Sequence, residues 1–184
     1  MKKIMMTLAA VAVAATMNAQ VYVGGGIGFQ TTSQGDNTNT VIKLVPEIGY
    51  NLDENWAVGV ALAYGHTKNS VETGGIETSI KTNVYGINPY ARYTFAKFDK
   101  INLFVDGGLE YVHTKAGDNK NNTFAIGVKP GVAVNLNDKL SFVAHVGFLG
   151  YQNSKDDYDG AKAANTFGFD LDGSNLSFGL YYNF

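Results

Sequence analysis

The chain has 184 residues with no cysteine, which suits one domain and excludes a lipid-attachment site, a disulfide framework and a cysteine-based metal cluster. Its formal net charge of −2 argues against nucleic-acid binding, and the 22 glycines are many for this length. Past the N-terminus no 18 consecutive residues are apolar, so a helical membrane protein is excluded on hydropathy.

The chain begins with Lys2 and Lys3, an apolar stretch from Ile4 to about Ala15, and small residues up to Ala19. That stretch is too short to cross a bilayer as a helix, which takes roughly 20 residues. It reads as an export signal over 1–19, cleaved after Ala19, although Met17 is larger than the residue usual at its position. The remaining domain is 20–184, and loss of the two lysines takes its net charge to −4.

Eight segments then alternate as strands do: 20–31, 40–50, 55–67, 82–95, 101–114, 123–135, 139–151 and 174–184. The connections 51–54, 96–100 and 136–138 are short, whereas 32–39, 68–81, 115–122 and 152–173 are longer and polar. Short turns at one end and long loops at the other are the pattern of outer-membrane barrels. The last loop gathers Asp156, Asp157, Asp159, Asp170 and Asp172, but without the ligand order of an EF-hand, so a solvated acidic loop is the favoured reading over a calcium site. Loops on a rigid scaffold often carry recognition, which leaves adhesion or surface binding open.

Written strand by strand, one phase is apolar throughout. It runs through Val21, Val23, Ile27, Phe29; Ile42, Leu44, Ile48, Tyr50; Trp56, Val58, Val60, Leu62, Tyr64; Tyr85, Ile87, Tyr93, Phe95; Leu103, Val105, Leu109, Tyr111; Phe124, Ile126, Val128, Val132, Val134; Leu140, Phe142, Val146, Phe148; and Leu176, Phe178, Leu180, Tyr182, Phe184. No Asp, Glu, Lys or Arg falls in it, as a lipid face requires, since a basic residue at the bilayer midplane costs roughly 2–4 kcal/mol. Aromatic residues sit toward both ends, with Trp56, Phe95, Phe142, Tyr182 and Phe184 near the short turns and Phe29, Tyr64, Tyr111, Phe124 and Phe148 near the loops. The opposite phase is rich in glycine and holds six charges: Lys43, Glu47, Arg92, Asp106, Glu110 and Lys129. A soluble barrel would present a water-facing phase dense in Lys, Glu and Thr instead.

Two further features carry a resemblance. Pro46, Pro89 and Pro130 each precede a strand end, a turn and a new strand, and PEIGYNLDENWAVGV aligns with PGVAVNLNDKLSFVA without a gap, the copy from Pro89 having a longer turn. At the C-terminus, Ser177, Gly179, Tyr182 and Phe184 occupy the places of the polar, glycine and aromatic residues in the assembly signal of bacterial outer-membrane barrels. Together these resemble the small outer-membrane β-barrel family of OmpA/OmpX type, often labelled porin family, over nearly all of 20–184. The resemblance implies an all-β, eight-stranded antiparallel up-and-down transmembrane barrel in the bacterial outer membrane, with outer-membrane lipid and, during biogenesis, the β-barrel assembly machinery as partners.

An eight-stranded barrel is just wide enough inside for side chains to fill it. Glu47, Arg92 and Asp106 fall at similar height, Lys129 just above, Glu110 and Lys43 higher, so three acids and three bases are expected to neutralise one another there. Arg92 is expected within salt-bridge distance of Asp106, with Lys129 in the same network. The expected function is a non-enzymatic barrel with a plugged lumen and a structural or surface role; a narrow channel for ions or small solutes is the alternative, and a lipid-modifying enzyme the second. No catalytic residue, metal ligand or cofactor is assigned. His66, His113 and His145 lack a serine two positions away, and Ser141 lies about 13 Å along the strand from His145 at roughly 3.3 Å per residue, too far for a nucleophile and its base. Finally, Phe167, Phe169 and Leu171 are out of phase with the even-numbered lipid face below Ser174, which predicts a bulge near Asp172–Ser174 or a strand entering the membrane only at Ser174.

Overall fold

A computed structural model describes residues 20–34, 37–73, 76–158, 160–170 and 177–184. The expected export signal over 1–19 and the expected bulge at Asp172–Ser174 lie outside the described residues. The described residues form ten strands: β1 (Val21–Gln34), β2 (Asn37–Asn51), β3 (Trp56–Thr73), β4 (Ile76–Lys97), β5 (Ile101–Ala116), β6 (Asn119–Asn135), β7 (Leu140–His145), β8 (Phe148–Asp156), β9 (Ala164–Asp170) and β10 (Ser177–Asn183). β7 with β8, and β9 with β10, each form one stave, so the chain makes an eight-stranded antiparallel barrel closed by β1 on β10.

Alternation delivers the two faces. Leu62, Tyr64, Tyr85, Tyr111, Ile126 and Leu180 stand exposed on the outside, while Tyr22, Tyr90, Phe104 and Tyr181 are buried in the lumen. The staves run farther than the apolar pattern does. Among the described residues, much of 32–39, 68–81, 115–122 and 152–173, expected as loops, continues the ladders beyond Thr31 and Thr40, as in Thr32 opposite Asn39 and Ser33 opposite Thr38. Hydroxyls meet across the strands, Thr31 to Thr40 at 2.9 Å, and a polar two-stranded extension has no reason to show apolar alternation.

One stave changes phase. His145 pairs with Gly131, but Leu149 pairs with Val128, so β7/β8 carries one residue more than β6 across that interval. The extra residue lies at Val146–Gly147, where Gly147 takes a left-handed φ of 70°. Phe148, expected on the lipid face, is thereby turned inward against Gly127 and Gly150, and Tyr151 takes its place outside. Phe167 and Phe169 pair with Tyr151 and Leu149 and face outward, so the phase slip in the last stave is present.

The three prolines have a common setting. Each faces a neighbour on the preceding strand, Gly25 to Pro46, Val60 to Pro89 and Val105 to Pro130. Toward the following strand the ladder skips that height: β2 to β3 jumps from Leu44 to Glu47, and β4 to β5 from Ile87 to Tyr90, each without a change of register. The missing proline N–H thus falls where no ladder bond is made. Beside Pro89 the Asn88 side-chain amide donates to the Leu109 carbonyl at 2.6 Å, supplying the absent donor.

The aligned repeats also share their turns. Leu52 and Asp53 donate to the Trp56 carbonyl as Leu136 and Asn137 do to that of Leu140. Asp53 Oδ1 accepts from the amides of Asn55 (2.7 Å) and Trp56 (2.8 Å), and Asn137 Oδ1 from those of Lys139 (2.9 Å) and Leu140 (2.8 Å). The copy from Pro89 differs: its turn is only Phe98–Lys100, and its added length lies in the strand as a register shift between Thr94 and Ala96.

The amides of Asn55 and then Trp56 hold the Asp53 carboxyl below its ordinary range. A depressed carboxylate stabilises above its unfolded value, and that support is lost as pH falls through the folded value. Acidification below about pH 4 should therefore lower the exchange protection of the Asn55 and Trp56 amides. Those of Lys139 and Leu140, held by a neutral amide, should keep theirs in the same exchange experiment.

Candidate functional site: the charged layer of the lumen

The inward charges are set by strands whose neighbours give them room. Arg92 on β4 lies opposite Asp106 on β5 and binds it side-on, Nε to Oδ1 at 2.7 Å and Nη2 to Oδ2 at 2.8 Å. This two-point geometry is the strong form of the pair. His145 donates from Nε2 to Asp106 Oδ2 at 2.8 Å, which fixes its tautomer. The guanidinium lies over the Phe104 ring, 4.0 Å from its centroid, with Tyr22, Tyr90 and Tyr181 around it.

Glu47 on β2 is held differently. Tyr181 donates to Oε2 at 2.6 Å and Tyr90 donates to Oε1, while Tyr22 donates to the Tyr90 hydroxyl at 2.5 Å. Arg92 Nη2 stands 3.8 Å from Glu47 Oε1. The layer therefore draws side chains from β1, β2, β4, β5, β7 and β10. The other two staves contribute absence. A Cβ on Gly59 of β3 would lie 2.4 Å from the Tyr90 hydroxyl oxygen, and one on Gly131 of β6 would lie 2.3 Å from Phe104 Cζ. Rings sit where those glycines leave space.

The six charges expected to form one network divide. Arg92, Asp106 and Glu47 meet in the layer, whereas Lys129 pairs with Glu110 above it, at 2.7 Å and partly exposed. Lys129 is opposite Asp106 in the ladder yet turns to Glu110, because Arg92 and His145 already fill the Asp106 carboxylate. Lys43 forms no ion pair among the described residues. None of Tyr22, Tyr90, Tyr181 and His145 is legible in the sequence as a member of this layer, because their bonds depend on which strands face one another across the lumen. Of the C-terminal residues, Gly179 faces the lumen beside Tyr181, and Tyr182 packs outside against Phe184 with ring centroids 5.1 Å apart. Ser177 opens β10 opposite His145.

His66 and His113 lie apart, each at an asparagine, Asn83 (2.8 Å) and Asn122 (2.7 Å). Among the described residues no three His, Asp or Glu side chains are gathered to hold a metal ion.

The sequence model of the outer membrane protein beta-barrel domain matches residues 4–184. The chain belongs to that family. No curated protein matches it significantly. Among solved structures it is similar to Neisserial surface protein A, at 16% identity and a TM-score of 0.48, with 89% of this chain and 97% of that one covered. It is also similar to the N-terminal β-barrel domain of Pseudomonas aeruginosa OprF, at 14% identity and a TM-score of 0.46, covering 91% and 98%. Membership places the protein in the bacterial outer membrane, with the alternating faces above as its lipid and lumen surfaces.

Replacing Arg92 with Ala leaves Asp106 buried with only His145 for company. Removing one partner of a buried pair typically costs about 3–5 kcal/mol. R92A should shift the urea midpoint of the refolded protein in lipid vesicles accordingly, whereas truncating Lys129, whose pair is partly exposed, should shift it by less than about 1 kcal/mol.

Proposed function

We propose that the protein is a non-enzymatic, non-conducting barrel of the outer membrane, reached through a cleaved signal over 1–19, with a structural or surface-interaction role. One observation carries the reading: the layer of Tyr22, Glu47, Tyr90, Arg92, Phe104, Asp106, His145 and Tyr181 spans the lumen from wall to wall, and no fully buried side-chain polar atom among the described residues lacks a hydrogen-bond partner. A buried, mutually satisfied layer of this kind binds no substrate and offers no open path. The histidines add no catalytic pairing: His145 is committed to Asp106, and His66 and His113 to asparagines.

A narrow ion path is the second reading, favoured by cavities of 160 Å³ above the layer and 130 Å³ below it. Planar-bilayer recording of the purified, refolded protein separates the two. The expected result is no resolved single-channel events; steady unitary conductance in the wild type would overturn the plugged reading.

Assembly is the other part of the proposal. Ser177, Gly179, Tyr182 and Phe184 are read as the segment that the β-barrel assembly machinery engages. Deleting Phe184 should lower the folded, outer-membrane fraction in cells several-fold while leaving the unfolding midpoint of protein refolded in vesicles nearly unchanged. Equal outer-membrane levels of truncated and full-length protein would refute it.

A further inference from the structure

The outer face beyond the upper aromatic belt repeats one pattern. YGHTK (64–68), KTNVY (81–85), YVHTK (111–115), KNNTF (120–124) and YQNSK (151–155) each place an aromatic ring, then His or Asn, then Lys at every second position toward the long-hairpin end. Alternation puts all three on the side of the exposed rings. Within a hairpin the copies stand in direct register, Tyr64 opposite Tyr85 and Tyr111 opposite Phe124. Between hairpins they shift by two residues, with Tyr85 facing His113 and Phe124 facing Asn153, as tilted staves require of residues at one height. Five neighbouring staves thus share three levels: rings, then amides and imidazoles, then ammonium groups.

The middle level is tied together, and the upper level is not. His66 donates to Asn83 at 2.8 Å, and His113 and Tyr111 both donate to Asn122 Oδ1, at 2.7 and 3.0 Å. At the upper level Lys115 stands directly opposite Lys120, and Lys68 opposite Lys81, which is unfavourable for like charges. Of Lys81, Lys115, Lys120 and Lys155, only Lys120 meets an acid among the described residues, Asp157 at 3.9 Å. The short-turn end differs: Asp53, Glu54, Asp99 and Asp138 are interspersed with Lys97, Lys100 and Lys139, and Lys97 pairs with Glu54 at 3.9 Å.

The arc also contains a recess. A cavity of about 590 Å³ on the outer wall of β5, β6 and β8 is lined by Tyr111 and Phe124, by Asn122 and Asn153, and by Lys155 and Tyr158. Its two acids are engaged, Asp156 by the Asn121 amide at 2.8 Å and Asp157 by Lys120. Toward the membrane the apolar wall continues through exposed Leu109 and Ile126. Each lysine lies four residues beyond its ring, about 13 Å along the strand and about 10 Å along the membrane normal at a tilt of roughly 40°. The polar layer of a simple bilayer is only about 5–7 Å deep on each side. A phospholipid head therefore does not span the three levels. A sugar carrying phosphate does: rings pack on its carbons, amides bond its hydroxyls and ammonium groups hold its phosphate.

We propose that this arc binds the phosphorylated sugar headgroup of an outer-leaflet lipid, its sugar in the recess over Tyr111 and Phe124 and its phosphate among Lys115, Lys120 and Lys155. The acyl chains then lie on the wall below, along Leu109 and Ile126. The site is outside the barrel and does not depend on whether the lumen conducts.

The test uses full-length refolded protein in a neutral maltoside detergent. Native mass spectrometry reads the bound fraction of lipid A bearing both phosphates, its monophosphoryl form, dimyristoylphosphatidylglycerol and glucosamine 1-phosphate. Wild type should bind lipid A more tightly than the monophosphoryl form and the phosphatidylglycerol, and the acyl-free sugar phosphate not measurably. K115Q/K120Q/K155Q should weaken lipid A roughly tenfold or more, whereas K97Q/K100Q/K139Q at the short-turn end, equal in charge change, should leave it unchanged. Heat-shifted migration on gels verifies folding of each variant. Lipid A bound no more tightly than phosphatidylglycerol would overturn the proposal, and so would equal effects of the two triple variants. Sugar phosphate bound as tightly as lipid A would overturn the lipid as its source. Channel recordings bear only on the plugged reading, so the two proposals fail separately.

Discussion

In a barrel of eight staves a large side chain enters the lumen only where the next strand gives up its own. Tyr22 lies over Gly49, Tyr90 over Gly59, Phe104 over Gly131, and Phe148 between Gly127 and Gly150. Each ring occupies the volume of an absent Cβ, so the glycines and the inward aromatics form one packing arrangement distributed over adjacent strands. That arrangement fixes where charges can go. The rings wall in Arg92, Arg92 and His145 complete the bonds of Asp106, and the tyrosine hydroxyls complete those of Glu47. Buried ions persist here because their hydrogen bonds are supplied from strands that the rings hold in register.

Much of this was legible in the sequence, because strand period and barrel order are simple. Arg92 and Asp106 share a phase on consecutive strands and a height above the same short turn, and the structure places them in contact. The phase of the apolar residues identified the outside for nearly every stave. Other features could not be read there. Tyr181 reaches Glu47 across 134 positions of sequence, and that contact depends on the closing register of β1 against β10, which no local pattern encodes. The bulge at Val146–Gly147 is invisible because Val146 and Phe148 fit the apolar phase as well as Leu149 and Tyr151 do. Lys43 was assigned to a neutral network on a balance of three acids and three bases, but Glu47 is satisfied by tyrosine hydroxyls, Asp106 by a guanidinium and an imidazole, and Glu110 by the Lys129 ammonium.

The proline positions show how a local rule can be obeyed by an irregularity. A proline inside a sheet loses a donor, and here the ladder opens at the height of Pro46 and Pro89 without slipping, while at Pro130 it opens beside the bulge, where the Val146 amide donates to the Pro130 carbonyl at 2.9 Å. The repeat that looked awkward for a membrane strand is thus a repeated break in pairing on one side of alternate strands. It recurs at one level of the barrel, close to the charged layer, where wall geometry and lumen contents must be matched.

Closure has a kinetic meaning. Every ladder except one joins segments that follow each other closely along the chain, and the turns at Asp53 and Asn137 carry their own side-chain bonds. The exception joins Tyr22–Gly25 to Leu180–Asn183, the two ends of the domain, so it closes the longest loop and carries the largest single closure entropy. Hairpins can therefore form early and separately, while the meeting of the ends is the slow event. Tyr22 and Tyr181 ride on those two ends, and until they arrive Glu47 has neither its Tyr181 bond nor the Tyr22 link behind Tyr90. The last step of folding is accordingly the one that seals the acid inside the barrel, and a chain halted just before it would carry an open, charged cleft into the bilayer.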